Sequence, residues 1–171
     1  MDFLDFAKQR YSVRSYSDKK VEKEKIEKIL AAGNIAPTAH NNQPQKIYAV
    51  ISEEAVIKIK SATKYTFGAS CFFIIGYDKN ESWYEINNRK GPGAAVDPAI
   101  VCTHMMLEAY DLGLGTLWVG NFNEDLLRKE FNIPNNIELI CILVAGYASD
   151  EACPHAFHNT KKDLNETMEY L

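Results

Sequence analysis

Arg10-Tyr11-Ser12-Val13-Arg14 lies where an amphipathic helix is predicted to give way to extended chain, and the rest of the sequence can be worked out from it. Alternate side chains of an extended segment point to the same side, so Arg10, Ser12 and Arg14 can converge on one group. Tyr11 and Val13 would then face the core. The planar fork of an arginine donates two parallel hydrogen bonds to an oxyanion, which favours a phosphate site. Two surface arginines and an ordinary serine would give the same pattern, so the stretch alone leaves both interpretations open.

A second polar stretch follows the next predicted helix: Ala36-Pro37-Thr38-Ala39-His40-Asn41-Asn42-Gln43-Pro44. Asn41 and Gln43 can each donate and accept hydrogen bonds, which suits the edge of a flat heterocycle with alternating carbonyls and ring nitrogens. Two prolines stiffen the loop around them. Loops rich in amides and prolines are also common turn chemistry. A flavin with its phosphate would explain both stretches together.

A third stretch, rich in glycine, makes a family resemblance specific. The three motifs, in chain order, are Arg10-x-Ser12-x-Arg14, Ala36-Pro37-Thr38-Ala39-x-Asn41-x-Gln43-Pro44 and Gly113-Leu114-Gly115-Thr116-x-Trp118-x-Gly120. Together they resemble the FMN-dependent nitroreductase family, and the resemblance extends from Phe3 to the C-terminal helix. It implies an α+β sandwich in which a mixed, largely antiparallel sheet packs between helices. It also implies an intertwined homodimer that shares two FMN sites.

The resemblance assigns cofactor-binding roles residue by residue. Arg10, Ser12 and Arg14, with the neighbouring Tyr11, would hold the phosphate and ribityl chain, and Lys161 or Lys162 would complete the charge balance. Asn41 and Gln43 would meet the ring or the ribityl chain. The neighbouring subunit would line the flavin with Pro37, Thr38 and Ala39, and the other edge of the ring would lie along the backbone of Trp118, Val119 and Gly120.

The activity implied by the resemblance is that of an NAD(P)H-dependent flavin oxidoreductase. Hydride would pass from NADH or NADPH to flavin N5, and then to an electron-poor acceptor such as a nitroaromatic or a quinone, by a ping-pong mechanism. The cofactor carries out the difficult step, so we assign no catalytic side chain. Two alternatives remain: a flavin-binding or flavin-scavenging protein without nicotinamide turnover, and a structural anion-binding domain without flavin.

Length and composition limit the other possibilities. A chain of 171 residues is typical of one domain, here residues 1–171. The sequence becomes irregular from about residue 150, and we expect this part to be an arm that is exchanged between the subunits of a dimer. The net charge of -4 and the scattered basic residues argue against nucleic-acid binding. There is no apolar run of membrane-spanning or signal-peptide length, so we expect a cytoplasmic protein without membrane contact. The four cysteines and four histidines lack metal-site spacing, so we expect no metal.

Apolar periodicity predicts the order of the elements. Helices are expected at 3 to about 10, 21–32, 53–63, 99–112 and 124–131, strands at 47–51, 70–77 and 137–147, and a short last helix after Lys162 to Tyr170. The first two strands both look central. The alternation lacks the Gly-rich strand-to-helix turn of dinucleotide-binding folds, so a Rossmann fold is not expected.

Several local features carry expectations of their own. We expect Asp2, Asp97 and Asn123 to cap helices, and Gly33 to occupy the left-handed position just past one. Ile57 is expected to point inward with its apolar neighbours. The first helix should enter the core at once, and the helix after Asp97 should be buried nearly all round. The irregular stretch 81–93 is predicted to be a loop with functional potential.

Overall fold

The computed structural model describes residues 2–87 and 92–171, with Pro92 described by its backbone alone. The helices are α1 (Phe3–Gln9), α2 (Lys23–Asn34), α3 (Glu53–Ala62), α4 (Trp83–Ile86), α5 (Val96–Asp111), α6 (Glu124–Phe131) and α7 (Leu164–Thr167). The strands are β1 (Gln45–Val50), β2 (Cys71–Asp78), β3 (Gly115–Val119) and β4 (Ile137–Gly146). Short 3₁₀ turns occupy Ala39–Asn41, Pro92–Ala95 and Ala156–Asn159. The predicted loop at 81–93 contains α4, and its residues 88–91 lie outside the described part of the chain.

The four strands form an antiparallel sheet in the order β1-β2-β4-β3. The two central strands are the continuous apolar runs, and every residue from Cys71 to Tyr77 is buried. Beside β3 the chain makes an isolated parallel bridge between Ser12 and Thr116. The predicted α+β fold with a largely antiparallel sheet is confirmed. The prediction that β1 is central is wrong, because β1 lies at the edge of the sheet and exposes Ala49.

Helices cover both faces of the sheet. Phe72 and Phe73 are adjacent in β2, and their side chains enter different cores, as the two-residue period of a strand requires. One core lies under α3 and α6, and the other lies under α2 and α5. Each full burial of a large apolar side chain contributes about 1.5–3 kcal/mol, so these two layers supply most of the stability.

Helix ends explain where several elements begin and stop. The side chain of Asp2 accepts a hydrogen bond from Asp5 N, and that of Asn123 accepts one from Leu126 N. Both predicted helix caps are therefore confirmed. Asp97 is not a cap, because α5 begins one residue earlier and the Asp97 carboxylate accepts a bond from another segment. Gly113 has a φ of +78° and ends α5 as expected.

Three further predictions are wrong, one about a helix end and two about burial. Gly33 lies inside α2, where a Cβ would come within 2.8 Å of Met105 Cγ, so the glycine serves close packing of α2 against α5. Ile57 is 69% exposed because it faces away from the sheet. No residue of α1 is buried, and Phe3 is 70% exposed. These apolar residues therefore remain on the surface of the single chain.

The long helix α5 is also less enclosed than expected. Its buried face runs through Val101, Cys102 and Met105, whereas Thr103 is exposed. The opposite side borders an open groove of about 790 Å³ between α1, α2 and α5. The last helix stops at Thr167, three residues short of the predicted end at Tyr170. Within the described ranges, no helix combines the length and apolar character needed to cross a membrane.

Candidate functional site

The segment after α1 runs extended beside β3. The N–H of Arg10 still bonds to Phe6 O at 3.3 Å, which ends the helix, and Val13 N then donates to Thr116 O at 3.0 Å. Val13 is 2% exposed and packs into the core. Arg14 is exposed, on the opposite side. The predicted alternation therefore holds at Val13 and Arg14, whereas Tyr11 packs against the core and also lines the cavity described next.

The side chains on the outer side line a cavity of about 250 Å³, which we call the anion cavity. Its lining is Arg10, Tyr11, Ser12, Arg14, His155, Phe157, His158 and Lys161. The structure thus brings four predicted residues of the first motif together with Lys161. Lys162 is exposed and is not part of this lining.

The charges of the anion cavity are all of one sign. Within the described residues, no carboxylate lies within 4.0 Å of Arg10, Arg14 or Lys161. Burial lowers the pKa of the Arg10 guanidinium, and the nearby Tyr110 hydroxyl partly offsets that effect. Arg14 Nη1 donates to the carbonyl of Ser12 at 3.1 Å, which fixes the guanidinium near the cavity. Such a set of cations is suited to hold an anion.

A second cavity of about 230 Å³ shares Arg14 with the first, and we call it the Trp118 pocket. It is lined by Arg14, Tyr65, Phe67, Leu117, Trp118, Val119, Gly120 and Asn121. Trp118 is half-buried and packs against the core under α2 and α5, while Leu117 and Val119 pack on the other side of the sheet. The predicted stretch of Trp118, Val119 and Gly120 therefore borders this pocket.

Sequence reasoning missed Tyr65 and Phe67. Both stand in a turn between α3 and β2, and Phe67 has a φ of 49°. Two aromatic residues in an irregular stretch that also contains glycine could have indicated a ligand-binding turn. Their position next to β3 depends on tertiary contacts, among them the bond from Tyr16 N to Phe67 O at 3.1 Å.

The C-terminal arm, residues 150–171, begins by packing on its own chain. Ser149 Oγ bonds to Ser15 Oγ at 2.7 Å, and Tyr11 Oη donates to the carbonyl of Ala152 at 3.5 Å. These contacts bring His155 and His158 to the anion cavity. The spacing of the histidines along the chain gave no sign of this placement, because it depends on contacts between the arm and the extended segment after α1.

The second motif forms a strained loop. His40, Asn41 and Gln43 have φ values of 52°, 54° and 50°, in the left-handed region that side chains disfavour. Gln43 N donates to Thr38 Oγ1 at 3.0 Å, and Gln43 Nε2 donates to Asn41 O at 3.3 Å. Such conformations persist when surrounding contacts enforce them, and they are concentrated at functional sites.

Contacts from outside the loop hold it in place. Ala39 N donates to Asp97 Oδ1 at 3.0 Å, and Asp97 is 2% exposed. The ring of His40 stacks on Trp83 with centroids 4.8 Å apart and an angle of 13° between planes. The loop thus joins the first turn of α5 to the segment that was predicted to be a functional loop.

The two predicted halves of the site do not meet within one chain. The anion cavity and the Trp118 pocket include none of Pro37, Thr38, Ala39, Asn41 and Gln43. Asn41 and Gln43 are exposed. The first and third motifs come together, and the second lies elsewhere on the surface.

Comparisons with known proteins test the family resemblance. The nitroreductase family model matches residues 7–67 and 60–147. A protein of Archaeoglobus fulgidus, provisionally named NADH dehydrogenase/NAD(P)H nitroreductase, is 32% identical over 151 residues, which cover 83% of each chain. A nitroreductase family protein from Clostridium difficile 630 is 39% identical, with a TM-score of 0.90 over 99% of this chain and 98% of that chain.

A further solved structure shares the fold at lower identity. It is a provisionally named nitroreductase from Exiguobacterium sibiricum 255-15 in complex with FMN, with a TM-score of 0.84 and 20% identity over 100% of this chain and 98% of that one. The family expected from the three sequence motifs is therefore confirmed by a family model that matches most of the chain and by relatives above 30% identity. This chain belongs to the nitroreductase family.

Proposed function

We propose that this chain is an FMN-dependent oxidoreductase that uses NADH or NADPH to reduce small electron-poor acceptors such as nitroaromatics or quinones. Its family supports the reaction class, as do relatives named NAD(P)H nitroreductase and NADPH-dependent oxidoreductase. The observation that carries the proposal is the anion cavity, which shares Arg14 with the Trp118 pocket. A cationic site beside a largely apolar one matches a phosphate joined to a ring.

The anion cavity fits the phosphate of FMN. A phosphate monoester carries about -1.5 to -2 charges at pH 7 and offers three strong acceptor oxygens. Arg10, Arg14 and Lys161 supply positive charge without a described carboxylate to neutralise them. Because Arg10 is half-buried and its pKa is lowered by that burial, an anion beside it would replace lost solvation. Of the two candidate lysines, the geometry favours Lys161.

The Trp118 pocket fits a flat ring. A Cβ added to Gly120 would meet no described atom within 4 Å, so the strand end leaves open space beside its backbone. Tyr65 and Phe67 contribute apolar surface on the other side. Backbone N–H groups at the end of β3 can donate to ring acceptors without any side-chain movement.

These contacts indicate which tasks the cofactor would perform and which the residues of the chain would perform. When bound, FMN would supply the redox chemistry, taking hydride from the nicotinamide and passing electrons to the acceptor. The residues of the chain bind the phosphate, orient the ring against β3 and exclude water from one of its faces. No acid-base side chain is needed for these tasks, and we assign none.

The separation of the second motif supports a homodimer as part of the proposal. We infer that Pro37, Thr38 and Ala39 cap the flavin held mainly by the other subunit, as a two-fold axis would allow. The groove beside α5 exposes Phe3 and Ile35, which are 70% and 77% exposed, and so offers apolar surface for a second copy. Residues 1–171 would act as one domain whose arm, from about residue 150, reaches the partner after leaving the anion cavity.

Spectroscopy of the purified protein tests the main proposal. We expect absorbance in the flavin bands and loss of that absorbance on anaerobic addition of NADH or NADPH. Reoxidation by a panel of quinones, nitroaromatics and free flavin would then rank acceptors. A flavin that neither nicotinamide reduces would contradict the enzyme and favour a flavin carrier. A protein that binds no flavin would contradict both.

Paired substitutions test the placement of the phosphate. Arg14→Ala and Lys161→Ala should weaken FMN binding by roughly 1–3 kcal/mol, because each removes a charge-assisted contact. Lys162→Ala is the matched control and should have little effect. The losses should shrink for riboflavin, which lacks the phosphate. Equal effects of Lys161→Ala and Lys162→Ala would contradict the assignment of Lys161.

Deletion of the arm tests the shared site. Removing the residues after Asp150 should release FMN and loosen the dimer together, because Lys161 and the partner contacts leave at once. Light scattering and flavin fluorescence measure the two effects. A folded monomer that still holds FMN tightly would rule out this arrangement.

A further inference from the structure

The anion cavity contains two histidines that none of the roles above uses. His155 and His158 line it opposite the Arg10 to Arg14 segment, from the 3₁₀ turn of the arm. Histidine is the side chain whose ordinary charge change falls between pH 5 and 8. A histidine facing a phosphate therefore adds a positive charge that depends on pH.

The two histidines differ in their hydrogen bonds. His155 Nδ1 accepts the N–H of Phe157 at 3.2 Å, so that nitrogen carries no proton and the ring serves as the cap of the turn. Protonating His155 at Nδ1 would break this bond. The ring nitrogens of His158 have no protein partner in the described part of the chain, and the side chain is half-buried. His158 is thus the histidine that can take up a proton without losing a contact.

The surroundings of His158 favour a bound anion as its partner. Tyr11 approaches it edge-on, with ring centroids 6.1 Å apart. The remaining titratable or charged groups of the cavity are Arg10 and Arg14 on the extended segment and His155 and Lys161 on the arm. Glu151 lines the adjacent cavity, together with Arg14 and His155. A dianionic phosphate bound in the cavity would lie among these groups and could accept a hydrogen bond from His158.

We propose that His158 is a phosphate-binding residue that makes the preference for FMN over riboflavin depend on pH. This inference rests on the proposed function, because it assumes that the anion is the phosphate of FMN. Protonated His158 adds a charged donor to the cavity, so the preference is stronger near pH 6.5 than at pH 8.5. Below about pH 6 the phosphate itself takes up a proton, and the preference declines again.

The expected size of this pH dependence follows from the exposure of the anion cavity to solvent. The cavity is open and Phe157 beside it is 75% exposed, so the interaction is that of a partly exposed ion pair. We expect the ratio of riboflavin to FMN dissociation constants to fall roughly two- to fivefold between pH 6.5 and pH 8.5.

The experiment measures both dissociation constants by flavin fluorescence across this pH range. His158→Gln, which keeps a donor but cannot become charged, should show a ratio that hardly changes with pH. His158→Arg should keep a high ratio at pH 8.5. Lys129→Gln is the control, because Lys129 is exposed on α6 and lines neither the anion cavity nor the Trp118 pocket, and its ratio should change with pH as that of wild type does.

The outcomes separate this inference from the function it rests on. If wild type prefers FMN at every pH by the same factor, the proposed function stands and the role of His158 is refuted. The same holds if His158→Gln keeps the pH dependence of wild type. If wild type binds no flavin, or binds FMN no better than riboflavin at any pH, the placement of the phosphate fails and the inference fails with it.

Discussion

Gly115→Ala should damage both stability and cofactor binding, and the structure allows the effect to be estimated. A Cβ at this position would lie 2.6 Å from Val13 Cγ2, 3.0 Å from Val13 Cβ and 3.2 Å from Val13 Cγ1. Carbon atoms in ordinary contact are about 3.5–4.0 Å apart, so the two segments must separate by roughly 1 Å. Val13 cannot rotate away, because three of its carbons face the added atom and β-branched side chains are stiff.

The magnitude comes from two sources. Overpacking of this kind typically costs about 1–3 kcal/mol. A separation of 1 Å would also lengthen the bond from Val13 N to Thr116 O, now 3.0 Å, past hydrogen-bonding range, for roughly another 1 kcal/mol. Because Val13 lies between Ser12 and Arg14, the anion cavity should be distorted as well, and FMN affinity should fall with stability.

Urea unfolding followed by circular dichroism measures the stability change, and a double mutant tests its cause. Val13→Ala removes the clashing methyl groups, so Val13→Ala/Gly115→Ala should be less destabilised than the sum of the single variants by about 1–3 kcal/mol. Gly120→Ala is the control: a Cβ there meets no described atom within 4 Å, so its change should stay within roughly 0.5 kcal/mol. Additive single effects, or a Gly115→Ala variant as stable as Gly120→Ala, would refute the steric argument.

Three further predictions test other parts of the chain. Asp97→Ala should destabilise the fold by about 1–3 kcal/mol in urea unfolding and speed hydrogen exchange at the Ala39 amide, because that partly buried N–H loses its acceptor. Asp97→Asn should have a smaller effect. A thiol reagent should modify one cysteine of the native chain, the exposed Cys153, and the other three only after unfolding. The hydroxyl of Tyr147 donates to Glu22 at 2.6 Å, and this bond is the largest of several contacts, Lys19 among them, that together lower the pKa of that carboxyl from 4.5 to about 2. That contact stabilises the fold above pH 4.5 and is lost as the pH falls through about 2. Tyr147→Phe should therefore be less stable than wild type at pH 7, and the difference should shrink as the pH falls through that range.

The sequence predicted the features that depend on local chemistry. The continuous apolar runs of β2 and β4, the cap at Asn123 and the opposite directions of Val13 and Arg14 all follow from periodicity and hydrogen-bonding groups within a few residues. Each was predicted correctly because the local preference and the tertiary contacts agree.

The predictions that failed concern positions where a tertiary contact, and not the local sequence, determines the structure. The run at β1 is nearly as apolar as that at β2, and only the order of strands places it at the edge. Gly33 looked like a helix terminator, yet it is retained inside α2 because Met105 of α5 approaches too closely for a Cβ. Tyr65 and His158 joined the candidate site for the same reason: distant segments fold onto the extended stretch after α1.

The strained loop of the second motif is the strongest observation in favour of a second subunit. Left-handed backbone costs roughly 1–2 kcal/mol per residue outside glycine, less for asparagine, and this loop holds it at His40, Asn41 and Gln43. The bond from Ala39 N to Asp97 and the stacking of His40 on Trp83 offset part of that cost and fix one shape. Within its own chain this shape reaches neither the anion cavity nor the Trp118 pocket. We propose that a loop already held in this shape closes the cofactor site of a second subunit, because its fixed geometry would lower the entropy cost of binding there.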